Sequence, residues 1–281
     1  MEPNLPFVRI GPDEPRAPLV FSVPHAGRGY RPELLAAAAL PRDLLERLED
    51  RLADRLIWRA LGTGATAIVA NAPRAEIDLN RAENEIDPAA TDPPGLPGER
   101  LCSARSRAGL GLVPTALPGR GPIWKRPVDA EEVARRIAAI HRPYHEALGE
   151  ALAAARDRFG IALLVDVHSM PGGEAADIVF GDLHGRSMAA DLVDCALSAA
   201  TRLGFTASRN NPYAGGHVVA RHGRPHEAIH ALQIEIRRGA YLDAARRGPG
   251  PGFDRATKAL EAVAQALVAR AFARGAAEAA E

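Results

Sequence analysis

The sequence predicts a single α/β domain over all 281 residues, a three-layer sandwich with helices around a mixed, largely parallel central sheet. Two observations predict it. Short apolar runs alternate with longer amphipathic stretches, the pattern of strands joined by helical crossovers. Four segments with reactive side chains also fall at or just past the ends of those runs, where open α/β sheets bind their ligands.

The expected strands are 18–23 (PLVFSV), 66–72 (TAIVANA), 161–167 (IALLVDV), 176–181 (ADIVFG) and 231–236 (ALQIEI). The expected helices are 41–62, 129–158, 187–203 and 253–274. In the last of these, Leu260, Val263, Leu267 and Phe272 stand near helical spacing and should cover one face of the sheet. From about 83 to 127 Pro, Gly and Arg dominate and the hydrophobic period disappears, so this stretch reads as a long ordered loop region over the site.

Composition narrows the function. Lys plus Arg and Asp plus Glu both number 35, so the chain is formally neutral and nothing draws it to a phosphate backbone or an anionic membrane. The expected partner is a small molecule, with no nucleic acid and no membrane, and the protein a monomer or homodimer. The only cysteines, Cys102 and Cys195, form no C-x-x-C pair, so a metal would be held by histidine and carboxylate. MEPNLPFVRI lacks a basic n-region ahead of a long apolar stretch, and no run approaches the about 20 apolar residues of a membrane span. A cytoplasmic location follows as the expectation.

Four segments carry the chemistry. In FSVPHAGRGY, His25 follows a strand in a Pro/Gly-rich turn; it is either a metal ligand or a hydrogen-bonded loop histidine. In LLVDVHSMPGG, Asp166 and His168 are two apart and share a strand face, and a carboxylate beside a metal histidine is a common supporting device. In ALQIEIRRGAY, Leu232, Ile234 and Ile236 alternate with Gln233, Glu235 and Arg237. A mid-strand acid faces a polar site, which makes Glu235 a candidate general base, or else stands in solvent beside Arg237 and Arg238. PRAEIDLNRAENE combines Arg74, Asp78, Asn80 and Arg81, a set suited to a substrate carboxylate and equally to an exposed charged loop.

A catalytic zinc commonly keeps three protein ligands. The stretch DLLERLEDRLADRLIW offers Asp50 and Asp54, four apart on the stripe that a helix would turn inward with Ile57 and Leu61; Asp50 is the better placed of the two, and the alternative is a solvated charge ladder.

Taken together, the segments resemble the N-formylglutamate amidohydrolase family, related to zinc carboxypeptidases and aspartoacylases. The resemblance runs from about Phe21 to Asp243 and rests on SVPHAG (22–27), EDRLAD (49–54), IDLNR (77–81), GLGLVP (109–114), RPYH (142–145), VDVHSMP (165–171), NPYAGG (211–216) and IEIRRGAYLD (234–243). It implies a zinc-carboxypeptidase-like fold and Zn2+, or another divalent metal, on His25, Asp50 and His168. It implies Glu235 as general base and then acid, Asn80 and Arg81 on the substrate carboxylate with Arg81 also facing the reacting centre, and Tyr213 and His217 as further substrate-binding candidates, to which the charged loop itself adds Arg74. The implied reaction is hydrolysis of N-formyl-L-glutamate to formate and L-glutamate, of the histidine-degradation type. A different N-acyl amino acid or small peptide, or a catalytically inactive binding relative, is the alternative. The sequence departs from the family pattern at Arg51-Leu52 and at Arg237, which stands where an asparagine is usual.

Overall fold

The computed structural model describes residues 5–86, 91–92, 103–173 and 176–278. In chain order these form β1 (Phe7–Ile10), β2 (Leu19–Val23), α1 (Pro32–Ala37), α2 (Arg42–Leu45), α3 (Ala53–Leu56), β3 (Thr66–Ala70), β4 (Thr91–Asp92), α4 (Ala104–Arg107), β5 (Ala116–Leu117), β6 (Gly121–Pro122), β7 (Val128–Asp129), α5 (Ala130–Arg136) and α6 (Arg142–Phe159). There follow β8 (Ala162–Met170), β9 (Ile178–Gly181), α7 (Ala190–Thr201), β10 (Ala207–Arg209), α8 (His217–His222), β11 (Ile229–Arg237) and α9 (Phe253–Glu278).

The main sheet has seven strands in the order β1-β3-β2-β8-β11-β9-β10. β2 runs parallel to β3 and β8, β8 to β11, and β10 to β9; only the β11–β9 pairing described here is antiparallel. The sheet is thus mixed and mostly parallel. Strand β8 is buried at every position, as a parallel strand with neighbours on both sides should be, and its run ALLVDVHSM is correspondingly apolar except at Asp166, His168 and Ser169. Those three are where chemistry is to be sought.

The chain packs as two compact units. One comprises residues 1–8, 24–50 and 70–146, with Ile77, Leu79, Leu112, Ile123, Val133 and Tyr144 in its core. The other comprises 9–23, 51–69 and 147–281 and contains β2, β8, β9, β10 and β11 with α7, α8 and α9. In it, α9 packs on α7 and reaches β2 and α3. The α9 stripe Ala256, Ala259, Leu260, Val263, Ala264, Leu267 and Ala271 is buried at helical spacing. Phe272 falls outside that stripe: it is 50% exposed and meets the ring of Phe159 edge-on.

Two expectations about the elements need correction, and two strands stand where none was expected. The 41–62 stretch is not one helix: α2 passes into a 3-10 turn at Glu46–Leu48, and Leu52 takes a left-handed φ of 62° before α3 begins. The break goes with a contact from outside the stretch, since the N–H of Asp50 donates to the carbonyl of His25 and not to one four residues back. The 83–127 stretch contains α4 and the short pairs β4–β7 and β5–β6, although 87–90 and 93–102, with Cys102, lie outside the described residues. Strands β1 and β10, three to four residues long, carried no alternation long enough to read. Among the described residues, no helix is long and apolar enough to cross a membrane.

Candidate active site

In the first unit the candidate groups stand on turns. His25 lies two residues past the end of β2 and is buried. Gly27 lets its turn close down, because a Cβ there would stand 1.9 Å from the Ala72 carbonyl oxygen. Both ring nitrogens of His25 face carboxylates: Nε2 is 2.7 Å from Asp78 Oδ1 and Nδ1 is 3.2 Å from Asp50 Oδ2. It is Asp50 that meets His25, from an extended stretch and not from a helical stripe, while Asp54 lies 3.7 Å from Arg55.

Asp78 is fully buried, and its Oδ2 accepts from Arg74 Nε at 2.9 Å and lies 2.8 Å from Arg74 NH2. Burial by itself would raise its pKa, but the charges of Arg74 and Arg81 and the hydrogen bond from His25 hold Asp78 well below the usual carboxylate range. Asp78 is therefore an ionised acceptor and Nε2 of His25 donates to it. Arg74, expected among the substrate contacts, is placed as the partner of Asp78. With its one N–H on Asp78, a neutral imidazole would turn a lone pair at Nδ1 towards the Asp50 oxygen. Two acceptors at that separation suit joint ligation of a divalent cation, which needs lone pairs from both.

The segment carrying Asp78, Asn80 and Arg81 is fastened from two sides. The GLGLVP stretch supplies carbonyls: Asp78 N donates to Leu112 O at 2.7 Å and Arg81 Nε to Leu110 O at 3.0 Å. Arg81 is itself buried, with NH1 3.2 Å from the carbonyl oxygen of Asn80 and Nε 3.7 Å from Glu85. The helix side supplies donors: Arg136 NH1 to Glu76 O at 2.9 Å, His141 Nε2 to Arg81 O at 2.8 Å and His145 Nε2 to Leu79 O at 3.0 Å. A carbonyl only accepts, so each histidine presents Nε2–H. A π turn at Ile137–His141 joins α5 to α6, and the resulting steps of five and then four residues keep Arg136, His141 and His145 on the loop. Sequence reasoning missed Arg136 and His141; an i,i+4 histidine pair on a predicted helix was the available signal.

In the second unit the candidates stand on strands. Nε2 of His168 is 2.7 Å from Asp166 Oδ2, and Ser22, opposite Asp166 on β2, donates its hydroxyl to Asp166 Oδ1 at 2.7 Å. A carboxylate on Nε2 orients the His168 ring, the arrangement commonly found behind a metal-ligating histidine. On β11 Gln233 lies opposite Asp166 and Glu235 opposite His168. Gln233 Nε2 donates to Glu235 Oε1 at 2.9 Å. Arg237 hydrogen-bonds Asp177, whose Oδ2 accepts from Thr206 at 2.9 Å, so the residue that departs from the family pattern is occupied away from Glu235. Arg51, the other departure, donates to Arg247 O at 3.2 Å. Tyr213 packs on Met170, Ala176 and Val179, and His217 opens α8 directly after Gly216.

Comparison with known proteins follows the same segments. A family model described as N-formylglutamate amidohydrolase matches residues 17–242. An N-formylglutamate deformylase of Pseudomonas aeruginosa is 30% identical over 241 residues, 81% of this chain and 83% of that protein. The N-formylglutamate deformylase of Pseudomonas putida is 30% identical over 247 residues with the same coverage. The crystal structure of N-formylglutamate amidohydrolase from Ralstonia eutropha JMP134 superposes with a TM-score of 0.88 at 34% identity, covering 96% of this chain and 99% of that one.

Proposed function

The chain belongs to the N-formylglutamate amidohydrolase family, and from that premise we propose that it hydrolyses the amide bond of N-formyl-L-glutamate to formate and L-glutamate, using zinc held by His25, Asp50 and His168. The observation that carries the metal proposal is the matched pair of histidine–aspartate couples. In His25 with Asp78 and in His168 with Asp166, Nε2 lies 2.7 Å from a buried carboxylate, the arrangement that commonly orients a metal-ligating imidazole from its other nitrogen. Asp50 adds an oxygen, and two imidazoles with one carboxylate are a donor set that suits zinc. A zinc ion there would lower the pKa of its bound water towards roughly 7 and polarise the formyl carbonyl.

The chain's own residues do the rest. Glu235 takes the proton from the attacking water and returns it to the leaving amine nitrogen, so that bond cleavage releases a neutral amine. Asn80 and Arg81 hold the glutamate carboxylate, with Arg81 extending towards the developing oxyanion, and Arg74 keeps Asp78 ionised behind His25. Tyr213 and His217 shape the pocket for the side chain.

The test is a bound-metal assay run beside formate release. Purified protein should carry one divalent metal per chain, lose turnover on chelation and regain it with zinc. Released formate from N-formyl-L-glutamate should far exceed deacylation of N-acetylglutamate or hydrolysis of a dipeptide. Preference for either of those substrates would refute the formyl assignment, and turnover that survives complete metal removal would refute the metal.

A further inference from the structure

Gln233 is a polar side chain buried in the middle of β11, where an amide with either end unbonded would cost about 1–3 kcal/mol. Both ends are engaged. The N–H of Gly216 donates to Oε1 at 2.8 Å, and Nε2 donates to Glu235 Oε1 at 2.9 Å. A backbone N–H can only donate, so it fixes which end of the amide is oxygen and thereby fixes an N–H donor on Glu235.

The Gly216 N–H is itself held in place by the loop before it. Asn210 N donates to Phe180 O at 2.8 Å, Leu183 N donates to Ala214 O at 2.7 Å, and Asn210 Oδ1 accepts from Asp182 N at 3.0 Å. Gly181 permits this: a Cβ there would stand 2.7 Å from Ala214 C and Gly215 N, so only glycine lets the loop lie on β9. Gly181 is also the β9 residue opposite Gln233. The NPYAGG loop, bearing Tyr213 and leading into His217, is thus joined to Glu235 through one amide.

We propose that Gln233 is a positioning residue for the hydrolytic reaction: oriented by the backbone of the 211–216 loop, it aims the Glu235 carboxylate through the Nε2–H···Oε1 bond. The inference rests on the reading of Glu235 as the base. It differs from a packing role in what it predicts, because an aiming residue changes turnover and matters only while Glu235 is a carboxylate.

The experiment measures formate release from N-formyl-L-glutamate by the zinc-loaded enzyme and its variants, with metal content and melting temperature recorded. Gln233→Leu and Gln233→Met each remove both bonds without adding a charge, the second at closer to the original volume. Each should lower kcat by roughly 10–100-fold, the usual effect of losing such a supporting contact, with KM within about threefold and zinc content unchanged. In a Glu235→Gln background, Gln233→Met should cost no further activity. If both single variants keep kcat within about twofold of wild type while Glu235→Gln is inactive, the positioning role fails and the base reading stands. An equal loss in both backgrounds would make Gln233 structural only, and near-normal turnover of Glu235→Gln would overturn the base reading and this inference together.

Discussion

In the second unit Asp166, His168, Gln233 and Glu235 stand on two hydrogen-bonded parallel strands and are placed by register; in the first, His25, Asp50, Asp78 and Arg74 stand on turns and are placed by one another. A strand carries its side chain to a fixed height whatever that side chain is. A turn keeps its shape only while its charges and glycines are present. Chemistry mounted on strands should therefore be removable at little cost to folding, whereas chemistry mounted on turns should be inseparable from it.

The sharpest break of that comparison is Glu235→Gln, which should reduce kcat by about 10²–10⁴-fold, the range for a general base. Melting should stay within about two degrees of wild type because β11 keeps its ladder; a large loss of stability would show that this strand, too, depends on its polar groups. Asp78→Asn should do the opposite. It removes the charge of the fully buried Asp78, which pairs with the partly exposed guanidinium of Arg74, a change that costs about 3–5 kcal/mol. At about 2–4 °C per kcal/mol for a chain of this size, melting should fall by roughly ten degrees, and metal affinity by about 10–100-fold as His25 loses its orientation. Unchanged calorimetry for this variant would remove the charge-held description of the turn.

A smaller effect tests the helix that fastens the same loop. His145→Phe removes the donor to Leu79 O and should lower stability by about 1–3 kcal/mol, raising KM for N-formyl-L-glutamate more than it lowers kcat if Asn80 and Arg81 lose their placement. Weakest is the acid response of the strand-bearing unit. Burial first, then Arg221, His217 and Arg224, push His222 down to about 3; burial and then Arg274, opposed by Asp191, push His230 down to about 4. Both histidines fold neutral, so their contribution is complete above the unfolded value of 6.5 and is lost as pH falls from there towards 4. Between those limits the unfolded chain binds more protons, and stability should decline on acidification. The His222→Gln/His230→Gln pair should flatten the melting profile from pH 6.5 to 4.5 by a few degrees, and an unaltered slope would assign the acid response elsewhere.

The two regions were also unequally legible. That Asp166 and His168 share one strand face, and that Glu235 alternates with apolar residues, could be read from spacing, because period two on a strand is independent of what packs around it, and the five expected strands fell where the apolar runs stand. The turns gave no such rule. Residues 41–62 have a helical period, yet Asp50 reaches His25 only because that helix breaks at Glu49 and Leu52. Arg74 and Asp78 read as a substrate-facing charged loop, and their burial as an ion pair depends on carbonyls from residues 110 and 112 and donors from 136, 141 and 145, distant in sequence.

What the sequence by itself determined was the mixed, mostly parallel sheet, the motif-bearing strand ends and the residue types capable of metal-assisted hydrolysis. These follow from local periodicity and from chemistry that a side chain carries wherever it is. Only the tertiary structure decided which aspartate meets His25, that Arg74 serves Asp78, and that Gln233 presents its nitrogen to Glu235. Each of those is a choice among hydrogen-bond partners brought together from separated segments, and a partner's identity is fixed by where the chain returns, not by what stands beside the residue in sequence.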